Sequence, residues 1–397
     1  MKKNFIHTSE SVTEGHPDKL CDQISDAIID RFLERDIYAR VIAECAVSLS
    51  VVFISARFAS DVKVDFPNVA RKVIRKIGYV DQEFNFKTCS ILTSLKEMMP
   101  DQDYLAAARE LPENDIDQIV AYDQVTLFGF ACDQSPTLLP LPIWLAHKLS
   151  RKLSEVRLEG VLPYLAPDGT TQVGVEYENR TPRRIHSITI NSSQKDRNYP
   201  KSERLQEDVR GAVIKAVFED EPIRPDERTR VLINPGGALK LGGPSVHSGL
   251  TGRKNAIDTY GGYARNSESA LSGKDPLRID RVGAYAARYA AKNVVAAGLA
   301  RRCEVQLSYS IGLAGPVSIQ VETMGTGKIS DDKISSLVEK NFDFRLGGIV
   351  TQFNLQKLPA MSSGGFYRRL ASYGHFGRTD MDLPWEATDK ADLLRSF

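Results

Sequence analysis

The chain has 397 residues, of which 42% are hydrophobic and 26% charged, with a formal net charge of +1. Such values describe a folded globular protein of two to four domains, at about 100–200 residues each, and exclude a largely disordered chain. They also exclude a broad basic face for nucleic acid, so any anion site must be local.

The segment Met1-Lys2-Lys3-Asn4-Phe5 lacks the apolar core of a secretory signal, and no apolar run nears the ~20 residues that span a bilayer. A cytoplasmic protein without membrane partners is expected. Five cysteines (Cys21, Cys45, Cys89, Cys132, Cys303) are scattered singly, as fits reduced core fillers rather than disulfides or zinc ligands.

In chain order, Leu20, Ile24, Ile28 and Phe32 recur every four residues and predict an amphipathic helix over 17–34. Pro17 suits its first turn, with Asp18 beside it and His16 just ahead. The Val/Ile/Ala-rich stretch 40–58 predicts two strands, and 68–77 a second helix. Residues 97–117, acidic and interrupted by prolines, read as a mobile surface loop. Strand-like runs follow at 126–131, 172–177, 185–190, 230–233, 305–311 and 317–322. Helical patterns occupy 139–153, 202–218, 280–299 and 330–342. Strands followed by helix, repeated about three times, predict an α+β fold with antiparallel sheets. Breaks near 133–137 and 219–227 predict domains at 1–135, 136–228 and 229–397, the first packing discontinuously with other parts.

Three segments carry chemistry. His16-Pro17-Asp18 opens a helix, where free N–H groups and the dipole favour anions. A carboxylate there suits Mg²⁺, and a histidine there can donate to a phosphoryl oxygen as charge builds. Gly249-Leu250-Thr251-Gly252-Arg253-Lys254 combines close backbone approach with two adjacent cations. Ser272-Gly273-Lys274-Asp275-Pro276 repeats the pattern, and Asp280 opens the next helix as a second metal ligand. Tyr260-Gly261-Gly262-Tyr263, Trp144, Trp385 and His375 read as packing elements. Neither a dinucleotide fingerprint nor a Walker A loop is present.

Nearly end to end, the sequence resembles S-adenosylmethionine synthetases. The resemblance rests on Ser9 to Lys19, Gly249 to Gly262, Ser272 to Asp280 and His375-Phe376-Gly377-Arg378. It implies three similar α+β domains of mixed or antiparallel sheet with pseudo-threefold symmetry. A homodimer or homotetramer with active sites between subunits is implied as well. The family reaction joins ATP to a small-molecule nucleophile, methionine, at the ribose C5′ and cleaves the released triphosphate to diphosphate and phosphate. Carried over by position, His16 steadies the departing triphosphate, and Arg253, Lys254 and Lys274 grip it. Asp18 and Asp280 hold Mg²⁺, two ions per site, and Glu44 matches a K⁺ ligand. Asp123, Asp168 and Ala270 fall at active-site positions.

The acceptor side departs from the family. Arg57 and His247 stand where carboxylates face the methionine ammonium, Met98 or Met99 replaces a glutamine, and Arg278 a lysine. Thr170 replaces another lysine, Ala238-Leu239 an Arg-Phe pair, and Tyr122 and Val125 two glycines. Unit charges about 4 Å apart interact by roughly 4 kcal/mol at an effective dielectric of 20, so such exchanges would repel an ammonium. Four functions follow for testing: methionine adenosyltransfer through a rebuilt pocket, transfer to a carboxylate- or phosphonate-bearing acceptor, a non-catalytic regulator, or a tripolyphosphatase.

Overall fold

The computed structural model describes residues 4–80, 83–98, 113–195, 200–240, 242–267 and 269–396. In chain order the strands are β1 (Phe5–Val12), β2 (Arg40–Ser48), β3 (Val51–Ala59), β4 (Ser90–Glu97), β5 (Val125–Cys132), β6 (Leu165–Glu178), β7 (Thr181–Gln194), β8 (Arg230–Ile233), β9 (Gly249–Leu250), β10 (Arg302–Tyr309) and β11 (Ser318–Glu322). The helices that matter here are α1 (Pro17–Leu33), α2 (Phe66–Ile77), α3 (Leu141–Leu158), α4 (Ser202–Val209), α5 (Ile279–Ala296) and α6 (Asp331–Asn341).

Three sheets form, in the orders β1-β6-β7-β8, β11-β10-β5 and β4-β3-β2-β9. Each packs one long helix: α3 on the first, α5 on the second, α1 on the third. The fold is thus α+β in three similar layers, as expected. Strand pairing is mostly antiparallel, but β3–β4 and β7–β8 run parallel. Every sheet recruits a strand from a distant stretch of chain: β1 joins β6, β5 joins β10, and β9 joins β2.

Local rules account for the helix ends. His16 caps α1, its Nδ1 accepting the Asp18 N–H at 3.2 Å. Asp65 caps α2 through the Asn68 N–H, so that helix starts earlier than 68, and it stops at Gly78 with φ +100°. The helical pattern at 202–218 is broken by π-helical turns at Arg210–Lys215. The expected strands and helices are present, but β1 and β4 were missed. β1 is rich in polar residues, while β4 exposes nearly every side chain, so neither shows an apolar alternation. Most of the expected mobile loop, 99–112, lies outside the described residues.

All five cysteines are buried and free. Trp385 stacks on Tyr285 with ring centroids 3.9 Å apart, and Tyr260 stacks on Phe376. His375 is fully buried, its Nδ1 2.9 Å from the Tyr285 hydroxyl, so these groups are packing elements. Among the described residues no helix is long and apolar enough to cross a membrane.

Helix α1 is buried on nearly every side, including the side that carries Asp18, Asp22, Asp26 and Asp30 at spacings of four. Each acid receives backbone N–H groups from far along the chain. Asp18 takes Leu250 (3.0 Å), Asp22 takes Gly252 (2.7 Å), and Asp26 takes Gly273 (2.8 Å). Asp30 takes Tyr367 and Arg368, at 2.8 and 2.9 Å. A buried carboxylate needs such donors. The stripe therefore fastens both glycine-rich loops to one helix.

Candidate active site

One edge of β2 seats both loops. Leu250 and Gly249 pair with Ala46 and Val47, and Thr251 exchanges hydrogen bonds with Cys45. Further along the same edge, the Ala43 N–H donates to the Gly273 carbonyl, Ile42 bridges Lys274, and Asp275 holds the Val41 N–H at 2.7 Å. Two glycines are obligatory for this fit. A Cβ on Gly249 would lie 2.2 Å from the Pro17 carbonyl, and one on Gly273 (φ +77°) 2.1 Å from the Ala43 oxygen.

The candidate residues fall into two groups along that edge. The first gathers His16, Asp18, Asp168, His247, Arg253 and Lys254. His16 is buried, its ring centroid 4.9 Å from that of His247. His247, its side chain 41% exposed, places Nε2 3.0 Å from Asp168 Oδ2, which also accepts the Gly243 N–H. Arg253 is exposed with its guanidinium 3.9 Å from Asp18, and Lys254 lies 3.8 Å from Glu10. Ala270 lies against Gly252, where any Cβ would collide with it, and so belongs to this group. The second group holds Lys274, 3.3 Å from Asp280, and Arg278, 3.2 Å from Asp123. With about 3.4 Å per residue, the loops' nearest attachment points, Ala43 and Cys45, lie ~7 Å apart and the outermost, Ile42 and Ala46, ~14 Å.

The remaining candidates lie elsewhere. Glu44 and Arg57 are exposed on the open face of the β4-β3-β2-β9 sheet, and among the described residues neither has an ion-pair partner. Met98, partly buried, follows β4 and hydrogen-bonds to the Phe58 carbonyl. Thr170 lies on β6 near Asn191, and Leu239 is exposed beside Ser193.

The expectation of a pocket with positive walls is corrected in two places. His247 is matched by Asp168 and Arg278 by Asp123, so each replacement meets an acid already in reach. Only Arg57 stands uncompensated among the described residues.

Burial lowers the His16 pKa to about 4, with Asp168 pulling the other way, so its ring is neutral near pH 7. Because Nδ1 accepts a backbone N–H, the neutral ring carries its proton on Nε2 as a donor. For His247, the hydrogen bond to Asp168 outweighs burial and raises the pKa. Burial raises the Asp18 pKa and lowers that of Lys274, the latter opposed by Asp280. In an NMR titration between about pH 5 and 8, the His16 ring is expected to show no midpoint, while the His247 midpoint falls above 6.5. A His16 midpoint inside that window would contradict the neutral donor.

Asp18 and Asp280 each present one carboxylate oxygen outside their ion pairs, and hard oxygen donors of this kind fit Mg²⁺. Glu44 offers an exposed carboxylate that has no ion-pair partner among the described residues.

Three family models match: the N-terminal, central and C-terminal domains of S-adenosylmethionine synthetase, over residues 4–100, 118–239 and 241–387. Among similar proteins, the S-adenosylmethionine synthase of Rippkaea orientalis is 48% identical over 408 residues, covering 100% of this chain and 97% of its own. That of Microcystis aeruginosa is 49% identical over 409 residues, with 100% and 98% covered. The chain belongs to the S-adenosylmethionine synthetase family. Enzymes of this family use a divalent metal and a monovalent cation.

Proposed function

We propose that this protein is a methionine adenosyltransferase that converts ATP, methionine and water to S-adenosylmethionine, phosphate and diphosphate. The observation that carries this is the joint seating of two cation-bearing glycine loops, together with the capping His16, along one strand edge. The methionine sulfur attacks the ribose C5′, and the C5′–O bond breaks, leaving the electron pair on the triphosphate. Arg253, Lys254 and Lys274 bind the phosphate oxygens, and the His16 Nε2–H meets the oxygen that gains charge. Mg²⁺, held by Asp18 and Asp280, would neutralise phosphate charge, and K⁺ would sit at Glu44. A later hydrolysis splits the triphosphate within the same cradle.

In this proposal a site draws one group from each of two chains, as the family resemblance implies. The surface that would bring two copies together is the open face of β4-β3-β2-β9, which exposes Val51, Phe53, Leu92 and Leu250. A homodimer is thereby part of the mechanism, and a tetramer would be two such pairs.

Incubation of the pure protein with ATP, methionine, Mg²⁺ and K⁺ tests the reading directly. S-Adenosylmethionine is the expected product. Its absence, with phosphate released from tripolyphosphate alone, would favour the hydrolase. The paired charges at His247 and Arg278 support methionine over an anionic acceptor; unpartnered Arg57 is the one feature on the other side. Arg57→Glu is expected to lower the KM for methionine about tenfold while the KM for ATP holds, the loss of roughly 1.4 kcal/mol of screened repulsion. An unchanged methionine KM would place Arg57 outside the acceptor pocket.

A further inference from the structure

The first group contains a feature that triphosphate binding does not require. One ring nitrogen of His16, one of His247 and a carboxylate oxygen of Asp168 all lie within 4.8 Å of one another. Asp168 is 8% exposed, and its Oδ1 is buried without a hydrogen-bond partner. Its Oδ2 is shared between the Gly243 N–H and His247. A buried carboxylate oxygen left unpaired is costly and marks a place where a ligand completes the set. Donors about 2.1 Å from a tetrahedral ion stand roughly 3.4 Å apart, so small side-chain rotations bring these three into range once His16 gives up the hydrogen bond that its Nδ1 accepts from the Asp18 N–H.

We propose that His16, Asp168 and His247 form a binding site for a borderline transition-metal ion, Zn²⁺ in particular, separate from the magnesium ligands Asp18 and Asp280. Two imidazoles and one carboxylate suit Zn²⁺ and Co²⁺, whereas Mg²⁺ prefers an all-oxygen shell. Three protein ligands leave a fourth position open to solvent, which the partial exposure of His247 permits. His247 makes the site: with a carboxylate at this position, as the family resemblance would have it, only one imidazole would remain in the triad. Because the ion engages His16 and Asp168, zinc and ATP exclude each other, and zinc acts as an inhibitor. That last consequence rests on the adenosyltransferase reading; the metal site itself does not.

Chelator-treated, magnesium-free protein titrated with Co²⁺ gives the direct test. One equivalent is expected to bind, with the visible absorption of a low-coordinate cobalt ion. His247→Ala and Asp168→Asn should each weaken binding by at least about tenfold. Glu339→Gln, on α6 away from the triad, should bind as the parent does. Zn²⁺ should bleach the cobalt signal. Equal Co²⁺ affinity in the parent and His247→Ala proteins, or no absorption change in the parent, would overturn the proposal. The affinity for magnesium-saturated ATP, measured at rising Zn²⁺ in the parent and in His247→Ala, tests the consequence separately: weakening in the parent alone supports mutual exclusion, and equal affinity in both refutes zinc inhibition at this site.

Discussion

Mixed dimers with Arg253→Ala in one chain and Lys274→Ala in the other are expected to recover about half of the parent activity, although either variant alone is nearly inactive. The reason lies in the proposed intersubunit site, because Arg253 and Lys274 sit on separate loops attached to the β2 edge. If each site takes Arg253 from one copy and Lys274 from the other, a mixed dimer has one doubly damaged site and one intact site. Coexpression with two affinity tags isolates the mixed species, and S-adenosylmethionine formation reports its activity. Mixed dimers as inactive as the single variants would mean that both residues serve a site within one chain.

The second large effect concerns stability. Asp26→Ala is expected to destabilise the fold by about 3–5 kcal/mol, because it leaves Arg281 buried without its counter-charge. Asp26 and Arg281 are both fully buried, and one guanidinium nitrogen meets both carboxylate oxygens, at 2.6 and 2.7 Å. Asp26 also holds the Gly273 N–H, and Arg281 donates to the Lys274 carbonyl at 2.7 Å. The pair therefore pins the second glycine loop from both sides. Since whole-domain stabilities run to about 5–15 kcal/mol, the loss should appear as a large fall in the urea midpoint. Replacing both residues, as Asp26→Leu with Arg281→Met, should recover part of it, because no lone charge remains buried. A double variant no more stable than Asp26→Ala would show that loop anchoring, rather than an orphaned cation, dominates.

The elements legible in the sequence are those whose signal is local. Helix α1 followed from Leu20, Ile24, Ile28 and Phe32, and the paired strands β2 and β3 from their dense β-branched content. The loops at 249–254 and 273–276 announced themselves by glycine beside lysine or arginine. Strands β1 and β4 escaped because pairing with distant partners, not their own pattern, makes them strands. The acids Asp22, Asp26 and Asp30 escaped for a related reason. On sequence they read as the solvent side of an amphipathic helix, yet a second layer of loops covers that side. A run of aspartates at every fourth position was the available sign.

The charge pattern shows the same division most clearly. Sequence alone determined the chemical inventory: two glycine loops that carry Arg253, Lys254 and Lys274, the helix-opening His16, Asp18 and Asp280, and the charges of Arg57, His247 and Arg278. Only the tertiary structure decided what those charges face. Asp168 and His247 are 79 positions apart, and Asp123 and Arg278 155 positions apart, yet each pair lies within about 3 Å. Coulombic interaction depends on separation in space and on burial, and a linear sequence specifies neither until its strands have paired.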